Sequence, residues 1–323
     1  MQKTIPVRSL KLGMHVVLPL SWLKHPFLKN HFTISTRTEI DRIIEFGFKD
    51  VVIDLDKGIG DEASTVPETS PPATWAPEAL MTTELREAIN DRKLEPEKKA
   101  RVVYTSSLQI MEKLLENPTA ENITEVKKGI AEIVDLIISD TETSNSLLMI
   151  TSHDFYTYTH SVNVGVYSIM IAKAYFSNLD AHDMHELGAG FFLHDIGKVR
   201  ISPAIINKNG KLDAEEMAVM KTHPVHGYDI LSETEHLTEE CRVIVMQHHE
   251  RSNGSGYPKS LRGEEIHSYG RICSMADVYD ALVSDRSYQQ KRTTYEALKL
   301  MKETLIDHFT LDLFGKLVML FER

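Results

Sequence analysis

The pattern of apolar and polar residues changes near residue 58. Before it, the segments Val16–Leu20 and Val51–Leu55 are short and rich in β-branched residues, as strands tend to be. Between them, Thr38–Phe46 places isoleucines at near-helical spacing, and Gly47 can end a helix there. Residues 1–58 are therefore predicted to form a small α/β domain that is rich in β structure.

Residues 59–77 show no apolar periodicity. They are rich in Pro, Ser, Thr and acidic residues, which is typical of a linker. After them, apolar residues recur at helical spacing, and Thr119 is a candidate N-cap for the segment that runs to Ile137. Further helices are predicted at about 80–92, 97–116, 154–176, 180–197, 213–231, 236–249, 270–283, 294–308 and 311–322. The sequence thus predicts a mainly α protein with an all-helical domain over residues 78–323.

Composition and charge narrow the classes of function. The chain has 323 residues, and its formal net charge is −11 with no dense basic run. Long nucleic acid is therefore not an expected partner, because it binds concentrated Lys and Arg. A small anionic substrate remains compatible with this charge if a metal supplies local positive charge.

Targeting signals and cysteines point to the cytoplasm. The first residues lack the apolar core of a signal peptide. The best apolar stretch, Val162–Phe176, is interrupted by polar residues and is shorter than the roughly 20 residues of a membrane span. Cys241 and Cys273 lack metal-site spacing and are expected to be small apolar core residues. We expect a cytoplasmic protein without a membrane span.

A set of histidines and aspartates in the helical domain points to chemistry: His160, His194, Asp195, His223, His248, His249 and Asp277. Each alone has an ordinary explanation, since a histidine at a helix end can be a surface group and a buried aspartate can be a cap. Together, these imidazoles and carboxylates lie beside apolar residues and are costly to bury unless something compensates them. A pair of divalent metal ions would do so.

The residue types also suit metal chemistry. Imidazole and carboxylate together suit Fe, Mn or Zn better than Ca or Mg. Two such ions roughly 3.5–4 Å apart can stabilise the attacking and leaving oxygens of a phosphoryl displacement. Asp195 is the natural bridging ligand, because the adjacent His194 can bind one of the ions beside it. The sequence therefore favours a two-metal phosphodiesterase, whereas ordinary core histidines would predict a protein without metal.

Several motifs of this chain, which occur in the order found in the family, resemble those of the HD-GYP group of HD-domain phosphohydrolases. They are YTYTHSVNV (156–164), FLHDIGK (192–198), HP (223–224), HHERSNGSGYP (248–258) and MADVYDAL (275–282). The resemblance covers about residues 150–310. Residues 1–60, including IPVRSLKLGMHVV, are similar to the small uncharacterised domain that often precedes HD-GYP domains in bacteria, where a regulatory function is expected.

This resemblance implies a phosphodiesterase of bacterial signalling. It would hydrolyse a cyclic dinucleotide second messenger, chiefly cyclic di-GMP, by metal-activated hydroxide at two Fe or Mn ions. By position, one ion would be bound by His160, His194, Asp195 and Asp277, and the other by Asp195, His223, His248 and His249. The catalytic residues would be Asp195 and Lys198, and the substrate would be contacted by Lys198, Arg286 and Tyr257.

Some positions depart from the family's pattern. Ser252 and Asn253 stand where the family usually has W and D in HHERWDGSGYP. Tyr156 stands where members with a third metal have Glu, which favours two metals here, and Gln289 replaces a usual Lys or Arg. Three alternatives therefore stay open: a 3′,3′-cyclic GMP-AMP phosphodiesterase, a weakly active metal-bound sensor or interaction module, and a generic HD nucleotidase. The resemblance implies a protein partner, a cyclase domain that binds the GYP loop (Gly256, Tyr257 and Pro258). The apolar stripes of the helices at 80–140 favour a second copy of the chain, packed on these helices, as another partner.

Overall fold

The computed structural model of the chain separates into two compact units, Met1–Thr74 and Trp75–Arg323. It describes residues 2–18, 31–34, 40, 43–44, 47–55, 57, 83–91, 93–150, 157–208, 210–233, 238–284 and 291–322. The predicted linker over 59–77 lies outside the described residues, as do Tyr156, Arg286 and Gln289. The division of the chain into 1–58, 59–77 and 78–323 therefore stays a prediction.

The first unit contains an antiparallel sheet. Its strands are β1 (Gln2–Pro6), β2 (His15–Val17), β3 (His31–Thr33) and β4 (Asp50–Asp54), in the order β1-β4-β2-β3. In the register, Ile53 of β4 lies opposite Lys3 of β1 and Val16 of β2. Val16 and Ile53 are buried with Ile40 and Ile43, which are helical, and Gly47 follows at φ +93°. The predicted strands near Val16 and Val51 and the mixed α/β composition are confirmed, whereas β1 and β3 were not predicted.

The regular elements described in the second unit are helices, apart from an isolated β-bridge between Asn253 and Arg262. Its α-helices are α1 (Thr83–Asn90), α2 (Pro96–Glu116), α3 (Ala120–Ser139), α4 (Thr141–Ile150), α5 (Thr157–Tyr175), α6 (Met184–Leu193), α7 (Pro203–Ile206), α8 (Ala214–Met220), α9 (His223–Ser232), α10 (Glu239–Gln247), α11 (Ser268–Val283), α12 (Thr294–Thr304) and α13 (Leu311–Met319). The Thr119 side chain accepts a hydrogen bond from Asn122 N, so the predicted N-cap of α3 is confirmed. Helices α4 and α7 were not predicted.

Two predicted helices are wrong in a way that matters for the site. The helix predicted over 213–231 is split, because α8 ends before a turn at Lys221 and Thr222 and α9 begins at His223. Pro224 at the start of α9 lacks the N–H that a continuous helix would need. The helix predicted over 180–197 ends at Leu193, and a 3-10 helix (Ile196–Arg200) follows a turn.

Helix α5 lies at the centre of the second unit. Its residues from Tyr158 to Ala172 are all buried, and it packs against α2, α6 and α11. A helix that is buried on every side needs neighbours all round, and these three helices are among those that supply them. None of the helices in the described part of the chain has the length and apolarity needed to cross a membrane.

Candidate metal centre

The predicted metal ligands converge on one point from separate elements. His160 lies on α5, His194 and Asp195 follow α6, His223 opens α9, His248 and His249 follow α10, and Asp277 lies on α11. All are buried except His249, whose side chain is 16% exposed. They form two sets whose candidate ligand atoms lie within 4.8 Å of one another: Asp195, His223, His248 and His249, and His160, His194 and Asp277.

Asp195 lies between the two sets. Its Oδ2 is 3.5 Å from Nε2 of His160 and 3.5 Å from Nε2 of His194. Its Oδ1 is 3.2 Å from Nε2 of His223 and 3.8 Å from Nε2 of His248. Each carboxylate oxygen therefore faces a different pair of imidazoles.

Backbone hydrogen bonds orient the imidazoles of His194, His223 and His248 in the same way. In each, Nδ1 lies 2.8 Å from the carbonyl oxygen three residues earlier, at Phe191, Met220 and Val245 respectively. A carbonyl can only accept a hydrogen bond, so Nδ1 carries the proton and donates. In the neutral rings Nε2 is then a lone-pair acceptor, and all three lone pairs point towards Asp195.

This arrangement leaves acceptors facing acceptors. The Nε2 atoms of His223 and His248 lie 3.2 Å apart, and both rings already donate from Nδ1. Nε2 of His194 and Oδ1 of Asp195 are buried and have no hydrogen-bond partner among the described residues. Buried polar atoms normally have partners, and a cation satisfies converging lone pairs. The donor set of this protein fits bound metal.

His160 is held by a carboxylate rather than by a carbonyl. Its Nδ1 lies 2.7 Å from Oδ2 of Asp280, and its Nε2 lies 3.2 Å from Oδ1 of Asp277. Asn163 donates from Nδ2 to Oδ1 of Asp280 at 2.8 Å, and the Tyr104 hydroxyl donates to Asn163 Oδ1 at 2.8 Å. A chain of buried hydrogen bonds therefore runs from α2 to the candidate ligand His160.

The buried charges are balanced within the site. Burial alone would raise the pKa of Asp195, but the Lys198 ammonium and His194 hold it well below its usual value. Burial lowers the pKa of His248 to about 4, so this ring is neutral. Burial would also lower the pKa of His160, but hydrogen bonds with Asp277 and Asp280 raise it to about 9. The ionised carboxylate of Asp195 and the neutral His248 ring are in the protonation states that bind metal, whereas His160 would give up its Nε2 proton on binding one.

Lys198 and Tyr257 lie beside the ligands. The Lys198 ammonium donates a hydrogen bond to Oδ2 of Asp195, and the lysine side chain is 17% exposed. The Tyr257 ring stacks on His249 with ring centroids 4.7 Å apart. Burial raises the pKa of Tyr257, so its hydroxyl stays protonated. These two side chains extend the centre towards solvent.

The loop that follows His249 is fixed by its own hydrogen bonds. The buried Glu250 carboxylate accepts from the backbone N–H groups of Lys259 at 2.7 Å and Leu261 at 2.9 Å. Asn253 Oδ1 accepts from Ser255 N at 3.0 Å, and Ser252 Oγ donates to the His308 carbonyl at 3.2 Å. The residues that depart from the family's pattern therefore take part in ordinary loop contacts.

Sequence reasoning missed Asp280, Asn163, Tyr104 and Glu250. One signal was present for Asp280, since it follows Asp277 by one helical turn and so lies on the same face of α11. Tyr104 and Asn163 join the site through contacts between distant segments, for which the sequence offers no spacing rule.

Comparison with family models finds two matches. The HD domain model HD_5 matches residues 148–310, and the domain of unknown function DUF3391 matches residues 2–128. The second match extends past the first compact unit and includes α1 and α2.

Curated relatives include enzymes that act on cyclic dinucleotides. The cyclic di-GMP phosphodiesterase PA4108 of Pseudomonas aeruginosa is 33% identical over 312 residues, which cover 94% of this chain and 73% of the relative. The 3′3′-cGAMP-specific phosphodiesterase 2 of Vibrio cholerae is 36% identical over 168 residues, or 50% of this chain and 32% of that protein. The chain thus spans most of the first relative and about a third of the second.

Among solved structures, the chain resembles Bd1817, an HDG"Y"P protein from Bdellovibrio bacteriovorus. The TM-score is 0.65 and the identity is 20%, with full coverage of both chains. At this identity the likeness shows the fold alone. With the family match over 148–310 and the relative aligned over nearly the whole chain, the protein belongs to the HD-domain family and carries an N-terminal DUF3391 domain.

Proposed function

We propose that this chain is a metal-dependent phosphodiesterase that hydrolyses a cyclic dinucleotide, with cyclic di-GMP as the first candidate. The observation that supports this most strongly is the position of Asp195, whose two oxygens face two separate pairs of imidazoles. A carboxylate placed in this way is suited to bridge two cations. Two-cation centres are common in enzymes that cleave phosphate esters.

The chain's own residues would hold two ions, for which we propose Fe or Mn because imidazole and carboxylate suit them. One ion would be held by His160, His194, Asp277 and Asp195, and the other by Asp195, His223, His248 and His249. Such ions would polarise the phosphate and supply a nucleophile from water at neutral pH. The protein presents lone pairs at fixed positions, because each Nδ1 that donates to a carbonyl locks its ring.

Lys198, Tyr257 and Arg286 are the proposed substrate contacts. The Lys198 ammonium stands beside Asp195, where it can pair with the phosphate that reacts. The protonated Tyr257 hydroxyl can donate a hydrogen bond, and its ring can contact a base. Arg286 lies outside the described residues and is proposed from the sequence alone. Asp195 and Lys198 are the proposed catalytic residues.

The relatives support cyclic di-GMP and leave a second substrate to be tested. PA4108, which is named for cyclic di-GMP, matches nearly the whole chain. The Vibrio cholerae relative named for 3′3′-cGAMP matches half of the chain at similar identity, which favours 3′,3′-cyclic GMP-AMP as the alternative. Both substrates present the same phosphodiester to the centre and differ only in one purine.

We also propose a regulatory N-terminal domain over residues 1–58, a linker over 59–77 and a catalytic domain over 78–323. A cyclase domain at the GYP loop and a homodimer through helices at 80–140 are the corresponding proposals for protein partners. Co-purification with a cyclase domain and the mass of the chain in solution test these two contacts separately.

Metal content and product analysis on the same preparation test the function. We expect about two transition-metal ions per chain by elemental analysis, and conversion of cyclic di-GMP to a linear product by chromatography. Asp195→Ala is expected to remove both metal and turnover, because neither set of ligands is complete without it. Asp229→Ala, at an exposed position on α9, is the matched control and is expected to keep both.

The outcomes separate the alternatives. Faster turnover of 3′,3′-cyclic GMP-AMP than of cyclic di-GMP would replace the substrate and keep the mechanism. Bound metal and bound dinucleotide without hydrolysis would favour a sensor over an enzyme. A metal-free protein after careful reduced preparation, or turnover that survives Asp195→Ala, would refute the two-metal centre.

A further inference from the structure

Lys221 places a positive charge at the edge of the metal centre. Its Nζ lies over the Tyr257 ring, 5.4 Å from the ring centroid. The residue is exposed, and among the described residues no carboxylate pairs with it. Its backbone position is fixed, because Lys221 N donates to the Met217 carbonyl at 3.0 Å at the end of α8.

Tyr257 connects this lysine to the candidate ligands. The same ring stacks on His249 at 4.7 Å and lies edge-on to His223 at 6.3 Å. Lys221 also precedes His223 by only two residues, across the turn that splits α8 from α9. An exposed cation–π contact is weak and uses none of the ammonium's three N–H donors. The ammonium therefore stands near the centre with hydrogen-bonding capacity to spare.

The two lysines near the centre differ in a way that suits two anions. Lys198 is mostly buried and hydrogen-bonded to Asp195, whereas Lys221 is exposed in the turn before His223 and its ammonium lies over the Tyr257 ring. A cyclic dinucleotide carries two phosphodiester anions. When one of them lies at Asp195 and Lys198, the other extends away from the metal ligands and needs a separate cation.

We infer that Lys221 anchors the phosphate that is not being hydrolysed. This inference rests on the proposed function and makes Lys221 a substrate-binding residue in addition to those proposed from the sequence. The protein has a formal net charge of −11, so a cation without a carboxylate partner at the centre contributes to attraction of a dianionic ligand.

The test compares a substrate with two phosphodiesters and a substrate with one. Lys221→Met keeps the length of the side chain and removes its charge, and Lys221→Arg keeps the charge. Bis(p-nitrophenyl) phosphate has a single phosphodiester and cannot use a second anchor. For Lys221→Met we expect KM for the cyclic dinucleotide to rise roughly tenfold, as for a lost hydrogen bond between charged groups. Its kcat should change by less than about twofold, since the contact is made before and during reaction.

The ratio of kcat/KM for cyclic dinucleotide to that for bis(p-nitrophenyl) phosphate should therefore fall roughly tenfold in Lys221→Met and recover in Lys221→Arg. Lys299→Met, at an exposed position on α12, is the matched control and should keep the wild-type ratio. Equal losses on both substrates would overturn the inference, because Lys221 would then only support the Tyr257 ring. An unchanged KM for the cyclic dinucleotide would overturn it as well.

A binding measurement separates this inference from the proposed function. If the wild type hydrolyses neither substrate, the proposed enzyme fails, and equilibrium dialysis with cyclic di-GMP still tests Lys221. Weaker binding to Lys221→Met than to wild type and Lys299→Met would then support the anchor. Equal binding by all three proteins would refute it.

Discussion

Asp280 and His160 form a hydrogen bond of 2.7 Å between Oδ2 and Nδ1 inside the helical unit. Asp277, one turn earlier on α11, contacts Nε2 of the same ring at 3.2 Å. One helix face therefore holds both edges of a single imidazole. The first carboxylate sets the orientation of the ring, and the second lies on the side where a metal would be bound. Metal-binding histidines commonly have such an orienting partner.

Asp280→Asn is expected to weaken metal binding by about 10–100-fold, the usual effect of removing an orienting partner. The amide keeps the shape of the side chain but is a weaker acceptor, and it can turn an N–H towards the proton on His160 Nδ1. Competition with a chelator of known affinity measures the change. Turnover at saturating metal should recover in part, because Asp280 does not contact the reacting atoms.

The control for this substitution is Asp229→Asn on the exposed face of α9, which should leave metal affinity unchanged. If Asp280→Asn binds metal as tightly as the wild type, the orienting function is refuted. A loss of metal affinity together with an unchanged melting temperature would separate orientation from a general loss of packing.

Gly197 lets the chain that follows Asp195 pass close to α9. A Cβ atom built at this position would lie 1.9 Å from the His223 carbonyl oxygen and 2.4 Å from Gly227 N. Because both neighbours are backbone atoms, Gly197→Ala is expected to destabilise the fold by about 3 kcal/mol and to displace His223. Denaturant unfolding and metal content measure the two effects. Gly315→Ala on α13 should instead be neutral or stabilising, because a Cβ atom built there meets no atom within 4 Å outside its own helix backbone.

The sequence was sufficient to single out these candidate ligands, because their chemistry is concentrated in a few short motifs. His194 and Asp195 are adjacent, His248 and His249 are adjacent, and imidazoles beside apolar residues need compensation whatever the fold. The convergence of these motifs at one point is observed in the structure. Their assignment as ligands to two particular ions stays a proposal.

Features that depend on contacts between distant segments could not be predicted from the sequence. The split between α8 and α9 is a partial case, because Pro224 interrupts the helical pattern of 213–231 but the pattern does not say that the chain turns at Lys221 and Thr222. That turn creates the contact of Lys221 with Tyr257. The hydrogen bond from Tyr104 to Asn163 joins residues 59 positions apart and likewise has no local signal.

Glu250 is expected to fix the loop that carries Tyr257. Its oxygens accept from two backbone N–H groups, and the residue is only 2% exposed. Glu250→Gln replaces one acceptor oxygen by a donor that faces a backbone N–H, which should cost about 1–3 kcal/mol of stability. We also expect a lower kcat/KM for the cyclic dinucleotide, because Tyr257 is displaced from His249. Thermal unfolding and steady-state kinetics test both effects.

Glu264→Gln is the matched control for Glu250→Gln. Glu264 lies in the same region but has a 98% exposed side chain, and it contacts Arg271 at 3.3 Å. An exposed ion pair contributes little, so both stability and kinetics should stay close to wild type. If Glu250→Gln and Glu264→Gln have the same stability and the same kcat/KM, the prediction that Glu250 fixes the loop is refuted.

Glu112 gives the fold a dependence on pH that is separate from the metal centre. Burial, with a smaller effect of Glu116 one turn later, raises the pKa of Glu112 from 4.5 to about 7. Between these values the folded protein keeps a proton that the unfolded chain has released, so the free energy of unfolding falls as pH rises from about 4.5 to about 7.

Glu112→Gln removes this loss and should stabilise the protein at pH 8 more than at pH 5. Because the side chain is only half-buried, the gain should stay below about 1 kcal/mol. Denaturant unfolding at both pH values measures it, with the exposed Glu87→Gln on α1 as the control. Equal effects of Glu112→Gln at the two pH values would show that the raised pKa does not contribute to stability.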